Sequence, residues 1–163
     1  MSIHSGKLRN MASVYLLSGE QVLLLYRQGN SIVSNLWIGS AGGHFEPDEL
    51  NDAKRCVLRE LKEELGLEPD CLANLQLRYV TLRYADDEIR QNYYFFAALT
   101  TDTEQVPVST EGICKWFRLS DTKELPMPFT ARHMLNHYIT EGRYTNYLYG
   151  GLATDSVVNF QRL

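Results

Sequence analysis

The sequence predicts an α/β fold, an α/β/α sandwich built on a mixed β-sheet, and three observations carry that prediction. Leu23-Leu24-Leu25 and Tyr93-Tyr94-Phe95-Phe96-Ala97-Ala98-Leu99 are apolar at consecutive positions, the pattern of strands covered on both faces. Two segments carry helical punctuation, enough to cover a sheet on both sides. The strand candidates come in adjacent pairs separated by short turn sequences, which are hairpins and make the sheet mixed instead of parallel.

Met11–Leu17 and Val22–Tyr26 flank Ser-Gly-Glu-Gln and form the first hairpin. Trp37–Ala41 is a short strand that enters Gly42-Gly43. Asn51–Leu65 is the clearest helix, with Asn51 as N-cap, Asp52 in the first turn and Gly66 as the stop. Leu75–Tyr84 and Glu88–Leu99 flank Ala85-Asp86-Asp87 as a second hairpin, and Ile113–Leu119 is a further strand. Thr130 caps a second helix that runs to about Glu141 and stops at Gly142. The segment from Arg143 to Leu163, rich in Tyr, Asn and Gly, takes no assignment.

Composition bounds the function. The 163 residues suit one domain, taken as 1–163, and the 44% hydrophobic and 22% charged fractions are those of a globular chain. A net charge of −4 argues against binding a nucleic-acid polymer, which needs a basic face. It leaves room for an anionic small molecule, because a bound cation reverses the local field. No stretch has the length and apolarity of a membrane span, and no signal-like run follows Met1–Asn10. Cys56, Cys71 and Cys114 fit no zinc spacing and read as reduced thiols of a cytoplasmic protein.

The first helix carries the chemistry. At about 100° per residue, Val57, Leu58, Leu61 and Leu65 form an apolar arc and Arg55, Arg59 and Lys62 the far side. Glu60, Glu63 and Glu64 fall together beside the apolar arc. Like charges at this spacing cost ~0.2–0.5 kcal/mol even when exposed, and partial burial raises their pKa values. Ala53 and Cys56, on the same face, leave room for the Gly42-Gly43 loop. Three carboxylates beside exposed carbonyls are the oxygen set that magnesium takes. The competing reading is a solvated acidic face paired with Lys62 and Arg59.

Gly43, five residues, Glu49, and then Arg59-Glu60-Leu61-Lys62-Glu63-Glu64-Leu65-Gly66-Leu67 resemble the Nudix box. The second half matches at every fixed position, and the order of strands and helices around it resembles the Nudix fold. There is one departure: nine residues, Leu50 to Leu58, separate Glu49 from Arg59 where the family pattern has seven. The longer junction predicts that Glu49 moves away from the helix arginine, which the matching glutamate braces in the family.

The resemblance implies Glu60, Glu63 and Glu64 as metal ligands, joined by the carbonyl of Gly42, with Arg59 orienting the carboxylates. It implies Mg2+, or Mn2+, and water attack on phosphorus of a diphosphate bond, with Glu64 among the catalytic carboxylates and Glu60 or Glu111 as base. Gly43 and Arg27 are the expected substrate contacts, Arg27 through its fork of donors; the alternatives are a surface arginine for Arg27 and a turn residue for Glu111. Trp37, Tyr79, Tyr84 and Phe129 are base-stacking candidates that core packing would equally explain.

Trp37 to Pro47 and Leu125 to Thr130 resemble bacterial members described as 8-oxo-dGTP diphosphatases, so an oxidised dNTP is the first expectation. Leu82 stands where ADP-ribose-cleaving members carry a proline. Tyr84 stands near a tyrosine of dinucleoside-polyphosphate members, which makes such compounds, with nucleotide sugars, the runner-up. A domain that senses a nucleotide without cutting it is the reading of another class, and the full set of carboxylates argues against it. The expected partners are the small nucleotide and, as one option, a second copy in a homodimer; no membrane and no polymer are expected.

Overall fold

The computed structural model describes residues 6–28, 35–101 and 106–163. Its strands are β1 (Leu8–Ser18), β2 (Gln21–Arg27), β3 (Leu36–Ile38), β4 (Ala41–His44), β5 (Leu72–Ala85), β6 (Glu88–Leu99), β7 (Gly112–Arg118), β8 (Tyr149–Ala153) and β9 (Val158–Arg162). The helices are α1 (Ala53–Leu65) and α2 (Phe129–Thr140). The strands join in one sheet in the order β3-β2-β1-β6-β5-β8-β9, with β4 also on β1 and β7 also on β2. β1 and β6 run parallel, as do β5 and β8, and the other pairs are antiparallel, so the sheet is mixed.

The consecutive apolar runs feed two cores. Leu23, Leu25, Phe95, Ala97 and Leu99 pack with Cys56, Val57, Leu61 and Leu65 of α1. Val22, Leu24, Tyr94 and Phe96 turn to the other face and pack with Ala131, Met134, Leu135 and Tyr138 of α2. Alternation along each strand therefore supplies both faces, and the layers are α/β/α. Tyr79 is fully buried in the α2-side core, stacked on Tyr149 at 5.4 Å, so its ring is not available to stack on a base. Trp37 packs against Phe117 and Tyr26.

Both hairpins have their expected partners. In the second, Asp86 and Asp87 take φ of 52° and 60°, the two left-handed residues of a tight hairpin turn that asparagine and aspartate tolerate. The segment read as one strand from Trp37 to Ala41 is instead split. β3 pairs with β2, the chain turns at Gly39-Ser40, and β4 crosses to β1. Ser40, wholly buried, accepts from Leu16 N–H and donates to Leu23 O, tying β1 to β2 where the strands diverge.

Helix boundaries shift by a residue or two. Asp52, not Asn51, caps α1, accepting from Arg55 N–H at 3.0 Å. Gly66 at φ 65° ends the helix. α2 starts at Phe129 after Pro128, whose ring presets the entry dihedral, and Thr130 lies buried in the first turn instead of capping it. The unassigned tail folds as a hairpin, β8–β9, on the edge of β5. Arg78, buried, donates to the carbonyls of Gly142, Thr145 and Tyr147 and fixes the approach to that hairpin.

Candidate active site

Arg59 organises the face of α1 that meets β4. Its Nε donates to Glu49 Oε1 at 2.6 Å and its Nη2 to Glu49 Oε2 at 3.1 Å, a two-bond fork. Nη1 donates to Glu60 Oε1 at 2.9 Å and Glu63 Oε2 at 3.1 Å, and Nη2 reaches His44 O at 3.1 Å. The helical wheel had put Arg59 on the far, solvent side. The structure turns it onto the site, with four-fifths of its side chain covered.

The displacement expected for Glu49 does not occur. Pro47–Glu49 form a single 3-10 turn, closed by Glu49 N–H on Glu46 O and by Glu49 Oε2 accepting from Glu46 N–H, and Asp52 N–H then returns to Glu49 O. The two extra residues are absorbed in that turn and in Leu50–Asn51, so α1 begins at Ala53 and Glu49 still reaches Arg59. Glu49 is 1% exposed, and its carboxyl is held down at about 2, chiefly by the Arg59 hydrogen bonds. Carboxylate oxygens of Glu46, Asp48 and Glu49 also lie within 4.8 Å of one another, but Glu49 already has its cation in Arg59.

Glu60 and Glu64 sit one turn apart, both buried, while Glu63 is exposed. Glu64 is pushed up to about 8, first by burial and then by the charge of Glu60 and a hydrogen bond with it; a hydrogen bond from the Gly42 backbone opposes the shift. Two glycines permit this closeness. A Cβ on Gly43 would stand 2.3 Å from Glu60 Oε1, and one on Gly42 would stand 2.6 Å from Ala12 O. Cys56, small and buried, packs beneath Gly43 and His44, and burial pushes its thiol up to about 12.

Gly42 and Gly43 also form one wall of a cleft of about 230 Å³ between β1, β6 and the start of α2. Arg27 lines it and is paired with Glu111 at 3.2 Å. Glu111 lies close enough to raise the pKa of Glu64, and Thr110 N–H bonds to Glu64 O. The structure thus gathers Arg27, Gly42, Gly43, Arg59, Glu60, Glu63, Glu64 and Glu111 around β4. Phe129 lines the cleft. Tyr84 follows Arg83 in β5 and, by alternation, projects to the opposite face.

Reading the sequence did not single out His44, Arg9, Arg83 or Arg90. Arg9 Nε lies 2.7 Å from His44 Nε2, and burial, then Arg9, lowers the imidazole pKa. A signal for two of the arginines was present: the two-residue turn at Asp86-Asp87 places Arg83 opposite Arg90.

Two carboxyl groups buried side by side against a glycine strand form an oxygen donor set that suits a divalent cation. Among the described residues no helix is long and apolar enough to cross a membrane. Residues 7–138 match the NUDIX domain family. No curated protein matches the chain by sequence. Among solved structures, the chain is similar to the Escherichia coli ORF135 protein, at 22% identity and TM-score 0.66 over 85% of this chain and 94% of that one. The mutator MutT protein from Bacillus halodurans gives 21% and 0.66 over 94% and 97%. An Ap4A hydrolase from Caenorhabditis elegans gives 23% and 0.63 over 80% and 95%. These likenesses show the fold. With the family domain covering most of its length, the chain belongs to the Nudix family and is a Nudix hydrolase, of the class that uses divalent metals to hydrolyse pyrophosphate linkages in small nucleotide substrates.

Proposed function

We propose that the protein cuts the diphosphate bond of a nucleoside diphosphate-linked substrate held in the cleft beside β4, with Mg2+, or Mn2+, on Glu60, Glu63, Glu64 and the Gly42 carbonyl. The observation that carries this reading is the buried Glu60–Glu64 pair, a repulsive arrangement that a divalent cation turns into an attractive one. When bound, the ion lowers the pKa of a water and neutralises charge on the leaving group.

The chain's own residues do the rest. Arg59, itself fixed by Glu49, holds Glu60 and Glu63 in place. Glu60 or Glu111 takes the proton of the attacking water. Arg27 leaves Glu111 to donate its fork to a phosphate, and Gly43 lets the substrate approach the backbone. An oxidised dNTP such as 8-oxo-dGTP is the first substrate to examine, with dinucleoside polyphosphates and nucleotide sugars next. The C-terminal hairpin continues the same sheet beyond residue 138, which supports treating 1–163 as one domain. The three free cysteines suit a cytoplasmic location, and sedimentation will tell a homodimer from a monomer.

A screen of these three substrate groups with magnesium, in oxygen-18 water, tests the reading. One labelled oxygen in one product identifies the attacked phosphorus. Tight nucleotide binding without turnover would make the domain a sensor and overturn hydrolysis.

A further inference from the structure

The charged side chains that line the cleft are arginines, and the carboxylates of α1 stand apart from them, with Glu60 against Gly43. Arg9 of β1, Arg90 of β6 and Arg83 of β5 stand in one row across neighbouring strands: Arg9 is the register partner of Arg90, and Arg90 of Arg83. All three line the cleft and so share a face of the sheet. Like charges directly opposite one another destabilise a sheet, and the charge partners available are few. Arg9 has Glu88 at 4.0 Å, and Arg90 has the exposed Asp86 at 2.6 Å. Arg83 lies over the Phe129 ring at 4.9 Å and has no ion pair among the described residues. The Nε groups of Arg83 and Arg90 are buried with no hydrogen-bond partner among those residues. Native proteins seldom leave a buried donor unsatisfied.

A second feature converges on the same place. The first turn of α2 lines the cleft through Phe129, Thr130 and Ala131. Their backbone N–H groups have no acceptor within the helix. Pro128 offers no side-chain cap, and the first turn contains no acidic residue. The positive end of a 12-residue helix is therefore left open towards the arginine row.

We propose that the arginine row and the start of α2 form an anion site for a phosphate group on the part of the substrate remote from the bond that is cut. Resting on the reading of this cleft as the substrate site, the proposal narrows the substrate to compounds that carry a second anionic group. Ala12 is the register partner of Gly43, and Arg9 stands three residues before it. At ~3.3 Å per residue the row lies about 10 Å along β1 from the position opposite Gly43, against which Glu60 stands, so one molecule can span the two. Phosphate is favoured over carboxylate because several guanidinium forks and backbone donors converge on it and its oxygens can accept from all of them.

Two measurements test this. In the first, inorganic phosphate is titrated into the metal-free protein. Binding is expected to weaken at least tenfold in Arg83→Gln and in Arg90→Gln. In the second, kcat/KM with magnesium is compared within matched pairs: ADP against its 3′-phosphate, and UDP-glucose against UDP-glucuronate. The 3′-phosphate is expected to lower KM at least tenfold with little change in kcat, an advantage lost in Arg83→Gln. A preference for the glucuronate alone would make the ligand a carboxylate and overturn the phosphate assignment. Phosphate binding unchanged in both variants would overturn the site itself. Arginine-dependent phosphate binding without turnover of any substrate would instead reject hydrolysis and leave the anion site standing.

Discussion

Arg59 and Glu49, nine residues of intervening chain apart, make a two-bond fork at 2.6 and 3.1 Å with the carboxylate almost wholly buried. The remaining donors of the same guanidinium reach Glu60, Glu63 and the His44 carbonyl. Glu49 thus fixes an arginine that in turn fixes the carboxylates.

Removing Glu49 strands a partly buried guanidinium beside the site. Glu49→Ala is expected to lower stability by about 3 kcal/mol and to cut kcat more than it raises KM, read from urea unfolding and steady-state kinetics. The pH dependence has a definite sign. Glu49 is held at about 2, below its ordinary 4.5. Its contribution is therefore complete above pH 4.5 and is lost as pH falls towards 2. The stability gap between the wild type and Glu49→Gln should close over that interval.

Glu64 has the opposite sign. With its carboxyl pushed from 4.5 up to about 8, the folded metal-free protein holds a proton that the unfolded chain releases. The stability that this proton contributes should be complete below pH 4.5 and be lost as pH rises to 8. Thermal scans of the chelated protein should show that slope. Glu64→Gln should flatten it, and saturating magnesium should oppose it by binding the folded state.

The two glycines of β4 separate geometry from stability. Gly43→Ala places a methyl on Glu60 Oε1, the far end of a movable side chain. Tm should change little while metal affinity falls about 10–100-fold, the scale of a disturbed ligand shell. Gly42→Ala drives a methyl into the backbone of β1 at Ala12 and Ser13, so here Tm should fall. Calorimetric metal titration and melting of both variants make the comparison.

Cys56 lies on the site face, yet burial pushes its thiol up to about 12, and a neutral thiol is a poor nucleophile. Cys56→Ala should keep turnover within a fewfold and cost about 1 kcal/mol of packing. Abolished turnover in a folded variant would point to a covalent route.

What the sequence reveals and what it hides divide along physical lines. The doubled cores were legible because Leu23-Leu24-Leu25 and Tyr93–Leu99 depend only on side-chain alternation, and the carboxylate face because helical spacing is local. The fate of Glu49 was not, because a residue count across a junction does not say how a 3-10 turn will absorb two residues. Tyr149-Gly150-Gly151-Leu152-Ala153 hid its strand, since paired glycines weaken that signal and the structure uses them to admit Leu163 and Phe160. The arginine row was hidden for a different reason: its members are scattered in the chain, and only strand register aligns them.

The parallel pairing of β1 with β6 joins residues 8–17 to residues 89–98, and this sets a timetable for synthesis. At roughly 5–20 residues per second, the first strand is made about 4–16 s before its central neighbour exists. α1 is complete once Leu65 is made and then waits a further 24–33 residues, about 1–7 s, for β6, with the first hairpin, β3, β4 and then β5 as its only partners. Until then the apolar face of α1 lacks Phe95, Ala97 and Leu99 of β6, which complete its core.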